Sequence, residues 1–140
     1  MLVVTDGAPG IIRAAEECFP RAARQRCLVH RMRNLAVKVG EPAWPEFKER
    51  VRACYKAPSR AIARELRDGL VADYERELPN AVACFQDDFE ACIAHLRFPI
   101  THRRALRTTN LLERLFLEER RRLKIIPNAF GEKAVLKLMY

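Results

Sequence analysis

The chain opens on a short apolar, β-branched run, Leu2 to Thr5, that stops at five turn-forming residues, Asp6-Gly7-Ala8-Pro9-Gly10. This predicts a buried strand ending in a loop. From Gly10 to Phe19 the apolar spacing changes to that of a short helix, with Ile11, Ile12 and Ala15 on one side and Pro20 as its stop. Arg24 to Val29 predicts a second strand. His30 to Val39 predicts a basic helix whose Met32, Leu35, Ala36 and Val39 are spaced for burial. Strand, helix, strand, helix in that order is the signature of a parallel α/β layer.

Between about Gly40 and Phe98 only helical periods appear. Trp44, Phe47, Val51 and Tyr55 form one stripe. Ile62, Leu66, Leu70, Tyr74 and Leu78 form a second, with Ser59 placed as its N-cap. Val82, Phe85, Phe89, Cys92, Ile93 and Leu96 form a third after Pro79-Asn80. The acidic residues of this stretch, among them Asp73, Asp87, Asp88 and Glu90, read as solvated faces. Pro99 to Arg107 reads as a basic connector. Thr108 to Lys124 predicts one helix capped by Thr108 or Thr109, followed by a break at Pro127-Asn128 and a last helix from Gly131 to Met139. The expected organisation is a core made of residues 1–39 and 99–140, interrupted by an all-helical insertion at 40–98.

Composition narrows the function. The 140 residues carry 26 Lys and Arg against 18 Asp and Glu, a formal net charge of +8. Such an excess favours a polyanionic partner. No apolar run approaches the roughly 20 residues that cross a bilayer, and the N-terminus has no signal-peptide pattern. Five cysteines, an odd number, point to reduced thiols and a cytoplasmic setting.

Several residues could carry chemistry. Asp6 stands just past a strand, where ligand-binding carboxylates are often found, although Asp-Gly is also an ordinary turn. Cys27 and His30 form a Cys-x-x-His pair, but zinc needs four ligands and no second pair is suitably spaced. His30 would begin its helix near the same edge as Asp6, within reach of a phosphate or a metal-bound group. At 100° steps, Leu111, Leu112, Leu115, Phe116 and Leu123 share one arc of the 108–124 helix. Glu113 falls just outside that arc, with Arg120 and Lys124 on its side, and Glu119 falls within it. Periodicity nominates both glutamates.

Two segments resemble a known family. TDGAPGIIRAAEECFPRAARQRCLVHRMRNL, with Gln25-Arg26-Cys27-x-x-His30 and Arg33-Asn34-Leu35, resembles the stretch around the second catalytic aspartate of Mutator-type transposases, a large bacterial insertion-sequence family. TTNLLERLFLEERRRLKIIPNAF resembles the stretch around that family's catalytic glutamate. The resemblance implies a partial RNase H-like core, a short parallel sheet with helices, bearing an all-helical insertion, so an α/β protein that is mostly helical.

By the same resemblance Asp6 matches the second aspartate, and Glu113 rather than Glu119 matches the glutamate. Cys27, His30, Asn110 and Arg114 match motif neighbours. The implied chemistry is DNA cleavage and strand transfer with two Mg²⁺ ions held by three carboxylates, Asp6 and Glu113 among them. Arg24, Arg26, Arg31, Arg33, Arg103, Arg104, Arg107, Arg120, Arg121, Arg122 and Lys124 would hold DNA against the repulsion of those carboxylates. The implied setting is the bacterial nucleoid, with DNA as partner and a homo-oligomeric intact protein. The family's first aspartate belongs on an earlier strand, which this chain does not include. The expectation is therefore a C-terminal portion of a transposase, inactive alone. The competing expectation is a non-catalytic basic module that binds DNA or a transposase, in which the arginines matter and Asp6 and Glu113 do not.

Overall fold

The computed structural model describes residues 1–125; the expected break at Pro127-Asn128 and the helix from Gly131 to Met139 lie outside the described residues. The chain divides into two compact units, Met1–Thr108 and a second that starts at Thr109. The described residues are mostly helical, with one two-stranded parallel sheet.

In the first unit, β1 (Leu2–Thr5) pairs in parallel with β2 (Ala23–Arg26), Leu2 opposite Ala23 and Thr5 opposite Arg26. A parallel pair needs a crossover, and α1 (Pro9–Cys18) supplies it. Proline at its first position already has helical φ and lacks an N–H that would have no partner there. β2 is shorter than the expected Arg24–Val29. Cys27 becomes the N-cap of α2 (Leu28–Val39), so Leu28 and Val29 are helical. They are drawn into the helix because Leu28, Leu35 and Val39 then fall on one buried face.

That face packs on α3 (Trp44–Tyr55) and α5 (Pro79–Gln86), and α4 (Arg60–Tyr74) completes the same core. Ser59 caps α4 as expected, its hydroxyl accepting from the Ile62 N–H at 3.3 Å. The centre of this core is aromatic. Phe85 meets Phe47 and Phe89 edge-on, with ring centroids 6.4 and 5.3 Å apart.

The third expected helix is broken. After α5 the chain turns at Asp87 and Asp88, and Asp88 takes a left-handed φ of 57°. A four-residue helix α6 (Phe89–Cys92) and a 3₁₀ turn (Ala94–Arg97) follow. The break has an electrostatic cause. Asp88 receives both guanidinium nitrogens of Arg24, at 2.5 and 2.6 Å, and lies 3.4 Å from Arg26. Arg31, only 2% exposed, reaches the Asp87 carboxylate at 3.2 Å and also donates to the Asp87 carbonyl. Asp88 is therefore not on a solvated face; only 17% of its side chain is accessible. Burial works against its charge, but the arginines outweigh burial and hold the carboxyl below its usual range.

A second stitch joins the sheet to the turn. The side chain of Gln25, fully buried, donates to the Cys92 carbonyl at 3.0 Å and accepts from the His95 N–H at 2.7 Å. Burial also pushes the His95 imidazole below its ordinary value. The expected connector 99–107 is mostly helical, as α7 (Ile100–Leu106). The second unit's described part is α8 (Asn110–Ile125).

Two predictions follow from this packing. Asp88→Asn keeps the shape of the turn but leaves Arg24 and Arg26 facing a neutral amide. Its expected cost in urea denaturation is about 1–3 kcal/mol, against roughly 3–5 kcal/mol for Phe85→Ala; an Asp88 variant as stable as the parent would remove the electrostatic account of the break. The second concerns acid. Glu90, bonded to Arg64 at 2.8 Å and to Arg60, is lowered from 4.5 to about 2, chiefly by the Arg64 hydrogen bond. A depressed folded value stabilises above the unfolded pKa and fades as pH falls through the folded one. Glu90→Gln should therefore flatten the loss of stability between about pH 4.5 and about 2, which are the values that bound its window. An unchanged acid profile would contradict it.

Candidate active site

Asp6 is the first residue past β1 and is exposed. Its Oδ1 accepts from the Ala8 N–H at 3.0 Å, fixing the loop that leads into α1. Gly7 adopts φ 92°, where residues with a Cβ are strained. A Cβ at Gly7 would also lie 2.1 Å from the guanidinium carbon of Arg26. The glycine thus lets the Arg26 side chain cross the loop beside Asp6 on its way to Asp88.

Cys27 extends the parallel ladder by one hydrogen bond, its N–H donating to the Thr5 carbonyl at 2.7 Å. The residue before Asp6 and the first residue of the Cys-x-x-His pair are therefore hydrogen-bonded neighbours. Cys27 is fully buried, and His30 is half-buried in the first turn of α2. The N–H of Leu28 has no partner within its helix, and the carbonyl of Arg107 accepts it at 2.9 Å. The chain thus returns to this same sheet edge two residues before Thr109.

In the second unit, Glu113 lies in the first turn of α8 and is half-buried. The Thr109 hydroxyl donates to its Oε1 at 2.9 Å, and the Glu113 N–H donates to the Thr109 carbonyl at 3.1 Å. Thr109 therefore orients the glutamate as well as preceding the helix. Asn110 and Arg114 are exposed, whereas Glu119 is half-buried.

The expected basic surround separates into classes. Arg24, Arg26 and Arg31 are committed to Asp87 and Asp88, and Arg31 is too buried to meet a phosphate. Arg103 donates to the carbonyls of Phe98, Leu96 and Pro58, at 2.8, 2.9 and 3.1 Å. Arg121 and Arg122 share Glu118 at 3.0 and 3.2 Å, in the open, where such pairs count for little. Arg33, Arg104 and Arg120 are exposed, and Arg107 is half-buried. The side chain of Lys124 lies outside what the structure describes. The carboxylates that claim Arg24, Arg26 and Arg31 sit more than fifty residues away in sequence, which no local pattern could reveal.

Carboxylate oxygens are the donors that Mg²⁺ takes, so Asp6 and Glu113 are of the right chemical type. Asp6 is accessible, on a loop that a glycine keeps narrow. Among the described residues, however, no three His, Cys, Asp or Glu side chains converge closely enough to hold a metal ion. No helix among the described residues is long and apolar enough to cross a membrane.

Comparison with known proteins agrees with the motifs. A family model described as transposase, Mutator family, matches residues 1–140. The chain is 30% identical over 138 residues to the transposase for insertion sequence element IST2 of Acidithiobacillus ferrooxidans, covering 99% of this chain and 47% of that protein. It is 35% identical over 127 residues to the transposase for insertion sequence element IS256 in transposon Tn4001 of Staphylococcus aureus, covering 89% of this chain and 32% of that one. A transposase for insertion sequence element IS6120 from Mycolicibacterium smegmatis is 30% identical over 140 residues, covering 100% of this chain and 43% of the relative. The chain thus spans less than half the length of these curated relatives. With a family match along its entire length, the chain belongs to the Mutator family of transposases.

Proposed function

We propose that this chain is the part of a transposase catalytic domain that carries two of its metal-binding carboxylates, Asp6 and Glu113, and that it acts on insertion-sequence DNA. The observation that carries this reading is the sheet edge. Asp6 follows β1, Cys27 is bonded to Thr5, and Leu28 is bonded to Arg107, so the residues of the first motif meet the chain as it approaches the second. A parallel strand-helix-strand unit with a carboxylate at a strand's C-terminal end supports an RNase H-like core.

In this reading Asp6 and Glu113 would hold Mg²⁺. The ion would polarise a scissile phosphate and lower the pKa of the attacking water or hydroxyl. Thr109 keeps the Glu113 carboxylate turned along the start of α8, and the Ala8 N–H does the same for Asp6. The exposed arginines offset the repulsion between two carboxylates and a phosphate backbone. Asp6 and Glu113 alone would hold the metal loosely.

The metal and the activity can be tested separately. Mn²⁺ substituted for Mg²⁺ should broaden the amide signals of Asp6 to Ala8 in the wild-type chain and not in Asp6→Asn; equal broadening in both would place the ion elsewhere. The purified chain should neither nick nor join DNA carrying insertion-sequence ends in the presence of Mg²⁺. Within a longer, active transposase containing this sequence, Glu113→Gln should abolish strand transfer and Glu119→Gln should leave it largely intact. The reverse pattern would transfer the role to Glu119.

A further inference from the structure

The first unit contains a basic cleft that the carboxylates do not account for. It is about 380 Å³ in volume and lies between the end of α3, the 3₁₀ turn and α7. Lys56, Arg103, Arg104 and Arg107 line it, with Ile100 beside them, and no Asp or Glu is among its lining residues. Lys56 and Arg104 are exposed. Ile100 is 79% exposed.

The cleft differs from the unit's paired arginines in having no acid beside its cations. Arg24, Arg26, Arg31, Arg50, Arg52, Arg60, Arg64 and Arg67 each have a carboxylate within ion-pair distance. Lys56, Arg104 and Arg107 have none among the described residues. Three backbone carbonyls lie beside the cleft, and bare carbonyls would repel an anion. Arg103 covers all three, those of Phe98, Leu96 and Pro58. Its guanidinium thereby turns a carbonyl-lined wall into one that an anion can approach, without itself needing to contact the ligand.

The buried ring of His95 lies against the same cleft. Burial first, and then the Arg107 and Arg103 charges, push it toward the neutral form, in keeping with a positive potential there. The cleft also has a defined end. Arg107 lines it, and the Arg107 carbonyl bonds to Leu28, next to Cys27 and the sheet edge.

We propose that this cleft binds the phosphodiester backbone of DNA through Lys56, Arg104 and Arg107, with Arg103 as a positioning residue, and leads the strand toward the sheet edge that carries Asp6. The proposal rests on the reading of the chain as a DNA-acting transposase segment and adds a track on the helical stretch to it. Two features favour a polymer over a small anion. The cleft is far larger than one phosphate, and Lys56 and Arg104 are solvated, as counterion-releasing contacts are. A site for a single small anion would more typically be built of converging backbone N–H groups, and here the charges come from separate side chains at the ends of α3 and α7.

The test uses the whole chain and a fluorescently labelled DNA duplex, with affinity measured by anisotropy across a range of salt. Lys56→Gln/Arg104→Gln removes two charges from the cleft. Lys38→Gln/Arg76→Gln removes two exposed charges elsewhere and serves as the control. Circular dichroism and thermal melts establish that both remain folded. The cleft variant should bind roughly tenfold more weakly at moderate salt, with a log–log salt slope shallower by about 2, while the control changes less than about twofold. Equal weakening by both variants, or none by either, overturns the cleft while wild-type DNA binding sustains the broader reading. Wild-type chain with no salt-dependent DNA binding overturns both. Titration with inorganic phosphate separates the remaining case: saturable phosphate binding lost in the cleft variant, with DNA affinity unchanged, would make this a small-anion site and refute the proposal.

Discussion

The structure of the first unit depends on a clasp of three arginines around two adjacent aspartates. Arg24 and Arg26 leave the second strand toward Asp88, and Arg31 leaves the helix after it toward Asp87. A two-stranded sheet has too little buried surface to stand by itself. Leu2, Val3 and Val4 are only partly covered. The sheet is held in place because polar side chains of β2 are anchored in the helical segment, through Asp88 and through Gln25 with His95, and β1 pairs with β2. Electrostatics does here what apolar burial usually does in a larger sheet.

The clasp also organises the site. Arg26 passes over Gly7 on its way to Asp88, and a Cβ at Gly7 would collide with its guanidinium. The loop that presents Asp6 is thus shaped from both sides, by the Ala8 N–H within the loop and by a guanidinium anchored elsewhere. Under the proposed metal role, such restraint would leave little reorganisation for Asp6 to undergo when an ion binds.

Much of this was legible in the sequence. Apolar spacing located both strands and most helices, and Ser59 announced its cap. The motifs identified the family. The misreadings share a cause. Val82 to Leu96 keeps a helical apolar period, yet the chain breaks at Asp88 because partners over sixty residues away reward a left-handed turn there. Val29 has β propensity but becomes helical with Leu28, whose burial in the core with α3 to α5 outweighs it. Counting arginines gave the right net charge, but not which of them remain available to an outside anion. That depends on where Asp87 and Asp88 lie in space. Lys56, at the end of α3, carried no local signal; it stands out only once the cleft around it is seen to lack acid.

The hydrogen bond from Leu28 to Arg107 gives the helical stretch an unusual mechanical status. The chain leaves the sheet edge at Leu28, runs through nearly all the helices of the unit, and comes back to within one hydrogen bond of where it left. The stretch is a detour with coincident ends. Helices within it could lengthen or shorten without moving the point at which Thr109 begins, so long as the two ends stay tied. Tension drawn along the chain between Met1 and Thr108 would also pass first through this tie and the strand pairing beside it, and the helices would bear load only after the tie had parted.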